Sequence, residues 1–443
     1  MSEASSISRK LAWRALMIYE KIQRDPGDIL RSIIPSEISK QDLGLAWELT
    51  NGAIRYKKKL DYIARSLIKA SLEKQKPEIL AALRLGLYQL TQTRSIPDFA
   101  AVNETVALIK NSLSEKEAGF VNAILRNSTR KKIAFPDPAK DPVSYLTNYH
   151  SYPEWLVKRW LDRFGFEETE AILVSGNIRP RINLKVISSK IDLNEVFELL
   201  ENDGIEAEKS KYFPDFIKCR DTSAVLKSKA FKTGLLNVQD ESQGLPVYLL
   251  DPPEGATALD LCSAPGGKSI ALADKVGNSG RVISLDNSRD RLNELKENIE
   301  RTGFENIEII QNDIFKFATN EKFGYILLDV PCSGLGTLAA NADLRWTKSQ
   351  SDIDNLSELQ GRMLKKASEM LTSGGVLVYS TCTTEPEEIE EVVYGFLETN
   401  PDFTLEDGNS SMIEPFKSEI GIYRSWPHKH GIGGGGFARL KKL

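Results

Sequence analysis

The sequence has few cysteines and few histidines. Among its 443 residues there are 4 Cys and 3 His, and no two cysteines have the CxxC spacing of zinc sites and thiol redox motifs. Such scattered ligands exclude a histidine-rich metal centre and a disulfide framework. We therefore expect no metal ion and a reducing, cytoplasmic environment. The cysteines are Cys219, Cys262, Cys332 and Cys382.

Long apolar runs and a strong net charge are also missing. No run approaches the roughly 18 apolar residues of a membrane span, and residues 1–13 lack the apolar core of a signal peptide. The net charge is only −4, although basic clusters occur at 55–59, 130–132 and 439–442. Because such clusters are more often solvated surfaces than binding sites, charge does not identify a substrate. We expect no membrane association.

The hydrophobic pattern divides the chain into regions. A chain of 443 residues with 41% hydrophobic and 27% charged residues suggests two or three globular domains. Residues 1–130 show apolar residues at three- and four-residue steps, which predicts an all-α domain. A charged, proline-containing linker follows at 131–144. Alternating strand and helix patterns then predict a small α+β domain at 145–235.

Residues 236–443 alternate strand, loop and helix. This alternation predicts an α/β, Rossmann-like domain with a mostly parallel sheet covered by helices. In such sheets ligands bind beyond the carboxyl ends of the strands. The candidate strands are 256–261, 281–286, 306–313, 325–330 and 375–381.

Four acids lie at or beside the ends of these candidate strands. A single acid in this position is usually a helix cap or a turn former. Four in succession along one sheet edge instead favour a ligand site. The acids are Asp260, Asp286, Asp313 and Asp329.

The loop after the first of these strands has the sequence CSAPGGKS (262–269). Its two glycines let a ligand approach the backbone, and the following helix offers free N–H groups. A phosphate loop needs a glycine five residues before Gly267, where Cys262 stands, and GxGxxG is absent, so ATPase and dinucleotide functions are disfavoured. Asp286 is well placed for ribose hydroxyls and Asp313 for an exocyclic amine such as that of adenine. An adenosine cofactor without a phosphate chain, S-adenosylmethionine, suits this pattern.

Two cysteines follow two of the strands, Cys332 in DVPCSG and Cys382 in STCTTEPEE. If the strands are neighbours, both thiols open onto the same cleft. Thr384 and Glu387 predict a capping box, which would place Cys382 just before a helix N-terminus whose dipole favours a thiolate. The alternative is that both cysteines are small, inert residues.

A thiolate beside a methyl donor favours one chemistry. Cytosine C5 becomes nucleophilic only after a nucleophile has added at C6, and a cysteine thiolate can add there. The adduct takes the methyl group, a base removes the C5 proton, and the thiolate is expelled. Asp329, protonated or hydrogen-bonded at N3 and N4, would favour the attack. The target base must be unstacked.

These motifs together resemble those of the RNA 5-methylcytosine methyltransferases, and within them the bacterial RsmB (Sun/Fmu) family. LCSAPGGKS, DVPCSG and STCTTEPEE resemble the cofactor loop and the two cysteine motifs of the family, and NVQDESQG (237–244) resembles its lead-in motif. The helical region that ends in GFVNAILRN resembles the NusB-type RNA-binding domain that the family carries in front. The resemblance covers nearly the whole chain.

The resemblance implies a role for each matched residue. Cys382 would be the nucleophile, Cys332 would assist release of the methylated RNA, and Asp329 would lie between the cofactor and the base. Asp286 and Asp313 would hold the adenosine. The cofactor loop would consist of Cys262, Ser263, Ala264, Pro265, Gly266, Gly267 and Lys268.

Three segments depart from the family pattern: GLGTLAANADLRW (334–346), EIE (388–390) and HGIGGGGFARL (430–440). We expect them to alter RNA contacts and not the chemistry. The resemblance implies S-adenosylmethionine-dependent methylation of cytosine C5 in 16S ribosomal RNA, of the cytosine-967 type, by a monomeric enzyme. The alternatives are the same reaction on tRNA or another RNA, and a non-catalytic RNA-binding assembly factor.

Overall fold

The chain forms two compact units. One unit extends to Ile178 and also includes Asn341–Thr347, and the other contains Arg179–Ala340 and Lys348–Leu443. No helix in the part of the chain that the structure describes is long and apolar enough to cross a membrane. The structure, a computed structural model, describes residues 3–69, 71–93 and 95–443.

Helices dominate the first unit, and two sheets with flanking helices form the second. The α-helices are α1 (Glu3–Ile22), α2 (Pro26–Ile33), α3 (Lys40–Arg55), α4 (Lys57–Leu67), α5 (Pro77–Gln92), α6 (Asp98–Ser112), α7 (Glu115–Arg130), α8 (Pro142–His150), α9 (Glu154–Ser175), α10 (Leu193–Asn202), α11 (Thr222–Val225), α12 (Lys229–Lys232), α13 (Glu241–Leu250), α14 (Gly267–Val276), α15 (Arg289–Thr302), α16 (Leu344–Thr347), α17 (Gln350–Ser368), α18 (Glu390–Thr399) and α19 (Pro427–His430). The strands are β1 (Ile182–Val186), β2 (Ala207–Lys209), β3 (Phe216–Cys219), β4 (Leu236–Val238), β5 (Thr257–Leu261), β6 (Arg281–Asp286), β7 (Ile307–Gln311), β8 (Phe323–Asp329), β9 (Leu371–Thr381), β10 (Phe403–Leu405), β11 (Tyr423–Ser425) and β12 (Gly435–Lys442).

The first unit is helical, as the periodicity predicted, and it packs around α5. This helix contacts α1, α3, α4, α6 and α7, and it is therefore apolar on nearly every side. It carries one buried cation, Arg84, whose guanidinium pairs with Asp61 at 2.7 Å and with Glu20 at 2.9 Å. Burial of a charge is costly unless the charge is paired in this way.

A short segment from the second half of the sequence completes the helical unit. The Arg345 guanidinium is fully buried and donates to Ser151 O at 3.1 Å, Gly176 O at 3.0 Å and Asn177 Oδ1 at 2.8 Å. It also lies 3.8 Å from the ring centroid of Tyr152. Burial lowers the pKa of this arginine to about 10. The planar guanidinium fits this site because it can serve several acceptors while stacking on a ring.

The second unit begins with a small α+β fold. β1 lies between β3 and β4, and β2 pairs with the other side of β3. All three pairs are antiparallel. Val196 and Leu200 of α10 are buried in the same apolar cluster as Leu184 of β1. The predicted α+β character is thus confirmed. α8 and α9, which precede these elements, group with the helical unit.

The larger sheet has the strand order β10-β12-β9-β8-β5-β6-β7, with β11 beside β12. The pairs between β9 and β7 are parallel, and β12 runs antiparallel to β9 and β10. The order therefore reverses between β5 and β8, as in doubly wound sheets. All five candidate strands are present and the predicted α/β fold is confirmed.

The antiparallel strands β10 to β12 were not among the candidate strands. β12 begins in the run of glycines, a composition that is typical of loops. Close packing explains the glycines, because an added Cβ on Gly435 would lie 2.7 Å from Thr381 O. On Gly436 it would lie 2.1 Å from Ile389 Cδ1. The glycines let this edge of the sheet form, since only they allow such an approach.

Arg345→Ala should lower the free energy of unfolding of the helical unit by about 3 kcal/mol, because three acceptors would lose a donor. Urea unfolding of the full-length protein, followed by tryptophan fluorescence, measures the change. Arg362→Ala removes an exposed guanidinium that lies over Phe315, and it should cost less than about 1 kcal/mol. Equal losses in the two variants would contradict an anchoring role for Arg345.

Candidate active site

Four acids lie side by side at the carboxyl edge of the larger sheet. β8, β5, β6 and β7 are consecutive parallel strands. Asp329 ends β8, Asp260 lies near the end of β5, Asp286 ends β6, and Asp313 follows β7 by two residues. Open α/β sheets bind ligands at this edge, where the strand order reverses. The structure thus brings the four predicted acids to one edge.

The loop from Cys262 to Gly266 joins β5 to α14 in a tight turn. Gly266 has a φ of +106°, and an added Cβ there would lie 2.3 Å from Leu295 Cδ1. Cys262 has a φ of +63°, and burial raises the pKa of its thiol. Cys262 is therefore a neutral residue of the loop. Since α14 begins at Gly267, its first N–H groups, which have no partner within the helix, adjoin this loop.

Asp286 holds the loop from the neighbouring strand. Its Oδ2 accepts from the Ala264 N–H at 3.1 Å, and its Oδ1 accepts from the Ser288 N–H at 2.9 Å. Each carboxylate oxygen can accept a further bond, so this buried side chain still has capacity for a ligand hydroxyl. Asp313 is partly exposed, and its Oδ1 accepts from the Phe315 N–H at 2.8 Å.

Two buried polar atoms at this edge have no hydrogen-bond partner within the described part of the chain. They are Asp260 Oδ1 and Ser263 Oγ. The other oxygen of Asp260 accepts from Ser269 Oγ at 2.5 Å, and burial raises the pKa of Asp260 to about 7. Buried polar atoms are rarely left unsatisfied. A ligand with hydroxyl and amine donors, such as an adenosine, fits this set of acceptors.

Asp329 is fixed through both of its oxygens. Oδ2 accepts from Lys268 Nζ and Oδ1 accepts from Ser380 Oγ, each at 2.8 Å. The nearly buried Lys268 ammonium also donates to Gln243. Because Lys268 comes from the glycine loop and Ser380 from β9, one carboxylate ties together three adjacent parts of the sheet edge. The ion pair also compensates for the cost of holding Asp329 charged in a largely buried place.

The two cysteine loops meet in space. β8 and β9 are parallel neighbours, with Asp329 opposite Ser380, and Cys332 Sγ lies 2.9 Å from Cys382 Sγ. The Cys382 N–H also donates to Cys332 Sγ at 3.3 Å. Hydrogen bonding with Cys382, together with burial, raises the pKa of Cys332 well above its usual value. Cys332 therefore retains its proton and can donate a hydrogen bond to the Cys382 sulfur.

The predicted capping box after Cys382 was wrong. A short 3-10 helix spans Pro386–Glu388 without a side-chain cap, and α18 begins only at Glu390. Thr384 Oγ1 instead donates to the Glu385 carboxylate at 3.3 Å. A helix dipole acts only within about the first turn, so the dipole of α18 lies too far along the chain to act on Cys382.

A buried carboxylate joins the two cysteine loops. Glu388 Oε1 accepts from the Ser333 N–H at 2.8 Å, and Oε2 accepts from the Ser333 hydroxyl at 2.5 Å. Ser333 Oγ also lies 2.8 Å from Thr383 Oγ1, next to Cys382. Gln360 Nε2 donates to Glu388 Oε1 at 3.0 Å and to Pro331 O at 2.8 Å. We call Ser333, Gln360, Thr383 and Glu388 the Glu388 cluster.

The glycine-rich C-terminal segment also lies against the cysteine loops. The Gly336 N–H donates to Cys382 O at 3.1 Å, and the Gly434 N–H donates to Gly336 O at 2.8 Å. A Cβ added to Gly336 would lie 2.2 Å from Gly434 O and 2.8 Å from Cys382 O. Three loops therefore meet through their backbones at a point where a side chain would not fit.

The three departing segments lie against the cysteine loops, and the expectation that they alter RNA contacts and not the chemistry stays a prediction. Each contributes one contact to the cysteine loops, through Gly336, Glu388 and Gly434. Ser333 and Gln360 were missed altogether, because a serine beside a cysteine and a glutamine on a helix are unremarkable in a sequence. Only the position of Glu388, six residues after Cys382 in a motif already singled out, was a signal that could have identified this cluster.

Comparisons with known proteins agree with this architecture. A family model described as 16S rRNA methyltransferase RsmB/F matches residues 247–441, the NusB family model matches 6–130, and a model of the ferredoxin-like domain of RsmF/B-like methyltransferases matches 152–225. The crystal structure of PH0851 superposes with a TM-score of 0.80 at 25% identity over all of both chains. A methyltransferase homolog from Pyrococcus horikoshii, 28% identical, covers 70% of this chain and all of its own, with a TM-score of 0.59.

A Rossmann-like domain of this kind that follows a NusB-like helical domain and a ferredoxin-like domain in the sequence defines an RNA methyltransferase. The probable ribosomal RNA small subunit methyltransferase B of Bacillus subtilis is 36% identical over 98% of both chains. The corresponding Pseudomonas putida enzyme is 33% identical over 84% of this chain and 85% of its own. The chain therefore belongs to the RsmB family of ribosomal RNA small subunit methyltransferases, as the sequence motifs indicated.

Gly336→Ala should reduce methyl transfer by about tenfold or more, because the added Cβ meets backbone atoms of two loops that carry the thiols. Steady-state methylation of ribosomal RNA measures the rate, and calorimetry measures binding of S-adenosylmethionine, which should change little. Gly361→Ala is the matched control, since nothing lies within 4 Å of its added Cβ. Full activity of Gly336→Ala would show that the close contact tolerates a side chain.

Proposed function

We propose that this enzyme methylates C5 of a cytosine in 16S ribosomal RNA through a covalent adduct between the base and Cys382. The observation that carries the proposal is the pair of thiols 2.9 Å apart beside the fixed carboxylate of Asp329. A single thiol at a strand end would be compatible with a structural cysteine. Two thiols in contact, one of them retaining its proton, provide a nucleophile and a separate group for a later step.

S-adenosylmethionine supplies the electrophilic methyl group when it is bound. Asp286 and Asp313 would accept from the hydroxyls and the amine of its adenosine. The unsatisfied atoms Asp260 Oδ1 and Ser263 Oγ offer further partners at the same edge. The residues from Cys262 to Lys268 would surround the cofactor, because their backbone turns tightly around the first N–H groups of α14.

Each residue at the thiol pair would serve a different step of the reaction. The Cys382 thiolate forms a bond to C6 of cytosine, and the electrons of the C5–C6 double bond make C5 nucleophilic. Asp329 would contact N3 or N4 of the base and favour this addition. After C5 has gained the methyl group, a base removes the C5 proton, the C5–C6 double bond re-forms, and the Cys382–C6 bond breaks. We assign to Cys332 the role of assisting this release.

The target cytosine must leave its stack before a thiolate can reach C6, because both faces of a stacked base are covered. Single-stranded or flipped nucleotides of 16S ribosomal RNA are therefore the expected substrates, and the cytosine-967 type follows from the family resemblance. The NusB-like domain is the part that we expect to bind RNA. We further propose that the enzyme acts as a monomer in the cytoplasm.

Cys382→Ala should abolish methylation, because the neighbouring Cys332 retains its proton and cannot replace the Cys382 thiolate. Purified protein, labelled S-adenosylmethionine and unmodified 16S ribosomal RNA provide the assay, and mapping of 5-methylcytosine locates the product. Wild-type protein should modify one cytosine and Cys382→Ala none. Methylation of tRNA alone would replace the substrate assignment, and methylation by Cys382→Ala would disprove the nucleophile assignment. No transfer to any RNA would favour the non-catalytic assembly factor.

Cys332→Ala should allow the attack by Cys382 but slow the release, so that a protein–RNA adduct accumulates. The adduct migrates as a retarded band on a denaturing gel, since a covalent bond survives denaturation. The double variant Cys332→Ala, Cys382→Ala is the control and should form no adduct. Normal turnover of Cys332→Ala without any adduct would rule out a role for Cys332 in release.

A further inference from the structure

Glu388 is a buried acid for which the reaction steps above have no use. It is fully buried, and Ser333 and Gln360 donate hydrogen bonds to its carboxylate. Ser333 is the residue directly after Cys332. A carboxylate removed from water is costly unless donors satisfy it, so this position needs a reason beyond filling space.

The donors of Glu388 fix the chain on both sides of Cys332. The N–H and the hydroxyl of Ser333 both point at the carboxylate, at 2.8 Å and 2.5 Å. Gln360 Nε2 holds Pro331 O at 2.8 Å and Glu388 Oε1 at 3.0 Å. The backbone that carries the Cys332 thiol is therefore held before and after the cysteine by one polar group each.

The same carboxylate is linked to the loop of Cys382. The Ser333 hydroxyl donates to Glu388, and Ser333 Oγ also lies 2.8 Å from Thr383 Oγ1. Tyr379, near the end of β9, donates to the Glu388 backbone carbonyl at 2.6 Å. Glu388 thus fixes Cys332 relative to Cys382 through hydrogen bonds that are all buried.

We propose that Glu388 is a positioning residue for release: through Ser333 it holds Cys332 beside Cys382, and it does not touch cofactor or base. The inference rests on the proposed function, because it assumes that a Cys382 adduct forms and that Cys332 resolves it. The two oxygens of the Glu388 carboxyl group matter for the geometry, since one receives the N–H and the other the hydroxyl of Ser333.

The decisive variant is Glu388→Gln. Its amide has one acceptor oxygen and one NH2 group, so either the Ser333 N–H faces a donor or the Ser333 hydroxyl must turn and accept, which disturbs its contact with Thr383. The variant should keep single-turnover methyl transfer within about twofold of wild type. Multiple-turnover kcat should fall about tenfold, with an enzyme–RNA adduct on a denaturing gel as in Cys332→Ala.

Glu387→Gln is the matched control, because it is the same substitution on the preceding residue, whose carboxylate accepts from Gln350 and whose backbone carbonyl accepts from Ser357. It should form no adduct and should turn over normally. Ser333→Ala, which removes the hydroxyl and keeps the N–H, should give a smaller adduct fraction than Glu388→Gln. The double variant Glu388→Gln, Cys382→Ala should form none.

The outcomes separate this inference from the proposed function. If Cys332→Ala forms the adduct and Glu388→Gln does not, the reaction stands and the positioning role is wrong. Equal losses of single-turnover and multiple-turnover rates in Glu388→Gln, with a lowered melting temperature and no adduct, would show a purely structural role. If no variant and no wild-type reaction involves an adduct, the proposed function itself fails.

Discussion

The parallel pairing of β8 with β9 is the constraint on which the site depends. The strands pair in continuous register from Tyr325 to Asp329, which lies opposite Ser380, and the Val330 N–H continues the pairing by donating to Ser380 O at 3.0 Å. Two loops must then leave the sheet edge at the same level and occupy adjoining space. Because the two loops follow neighbouring strands, the two thiols lie in contact, the Glu388 cluster can join the loops, and the backbones at Gly336, Cys382 and Gly434 come together.

Acids line that edge, and one of these acids is paired with a lysine. Acids lie at the ends of four consecutive strands, and Lys268 is the cation that pairs with one of them, Asp329. Burial raises the pKa of Asp260, whose one bonded oxygen accepts from the neutral hydroxyl of Ser269. The edge therefore combines one carboxylate near the thiols that is paired with a lysine and several hydrogen-bond acceptors further along the sheet. A ligand that donates hydrogen bonds suits the second part, and a base that is attacked at carbon suits the first.

Much of this arrangement could be predicted from the sequence. The five central strands, the order of the acids and the convergence of Cys332 and Cys382 follow from alternation and from the rule for parallel edges. The glycine-rich strand β12 did not, because its glycines are explained by contacts with Thr381 and Ile389, which are distant in sequence. Glu388 escaped notice for the same reason, since its partners Ser333 and Gln360 come from two other elements. Local patterns predict elements and edges, whereas long-range packing decides which polar residues share a buried space.

The segment around Arg345 has a consequence for how the protein is made. The helical unit contains Asn341–Thr347 as well as the chain up to Ile178. During synthesis the first part emerges from the ribosome long before residue 347, and in that interval the carbonyl of Ser151 has no guanidinium to bind. The helical unit is therefore finished only after about half of the catalytic domain has been translated. A nascent chain that stops before residue 341 carries an incomplete helical unit, so this unit is completed only after the Cys332 loop has been made and before the Cys382 loop has.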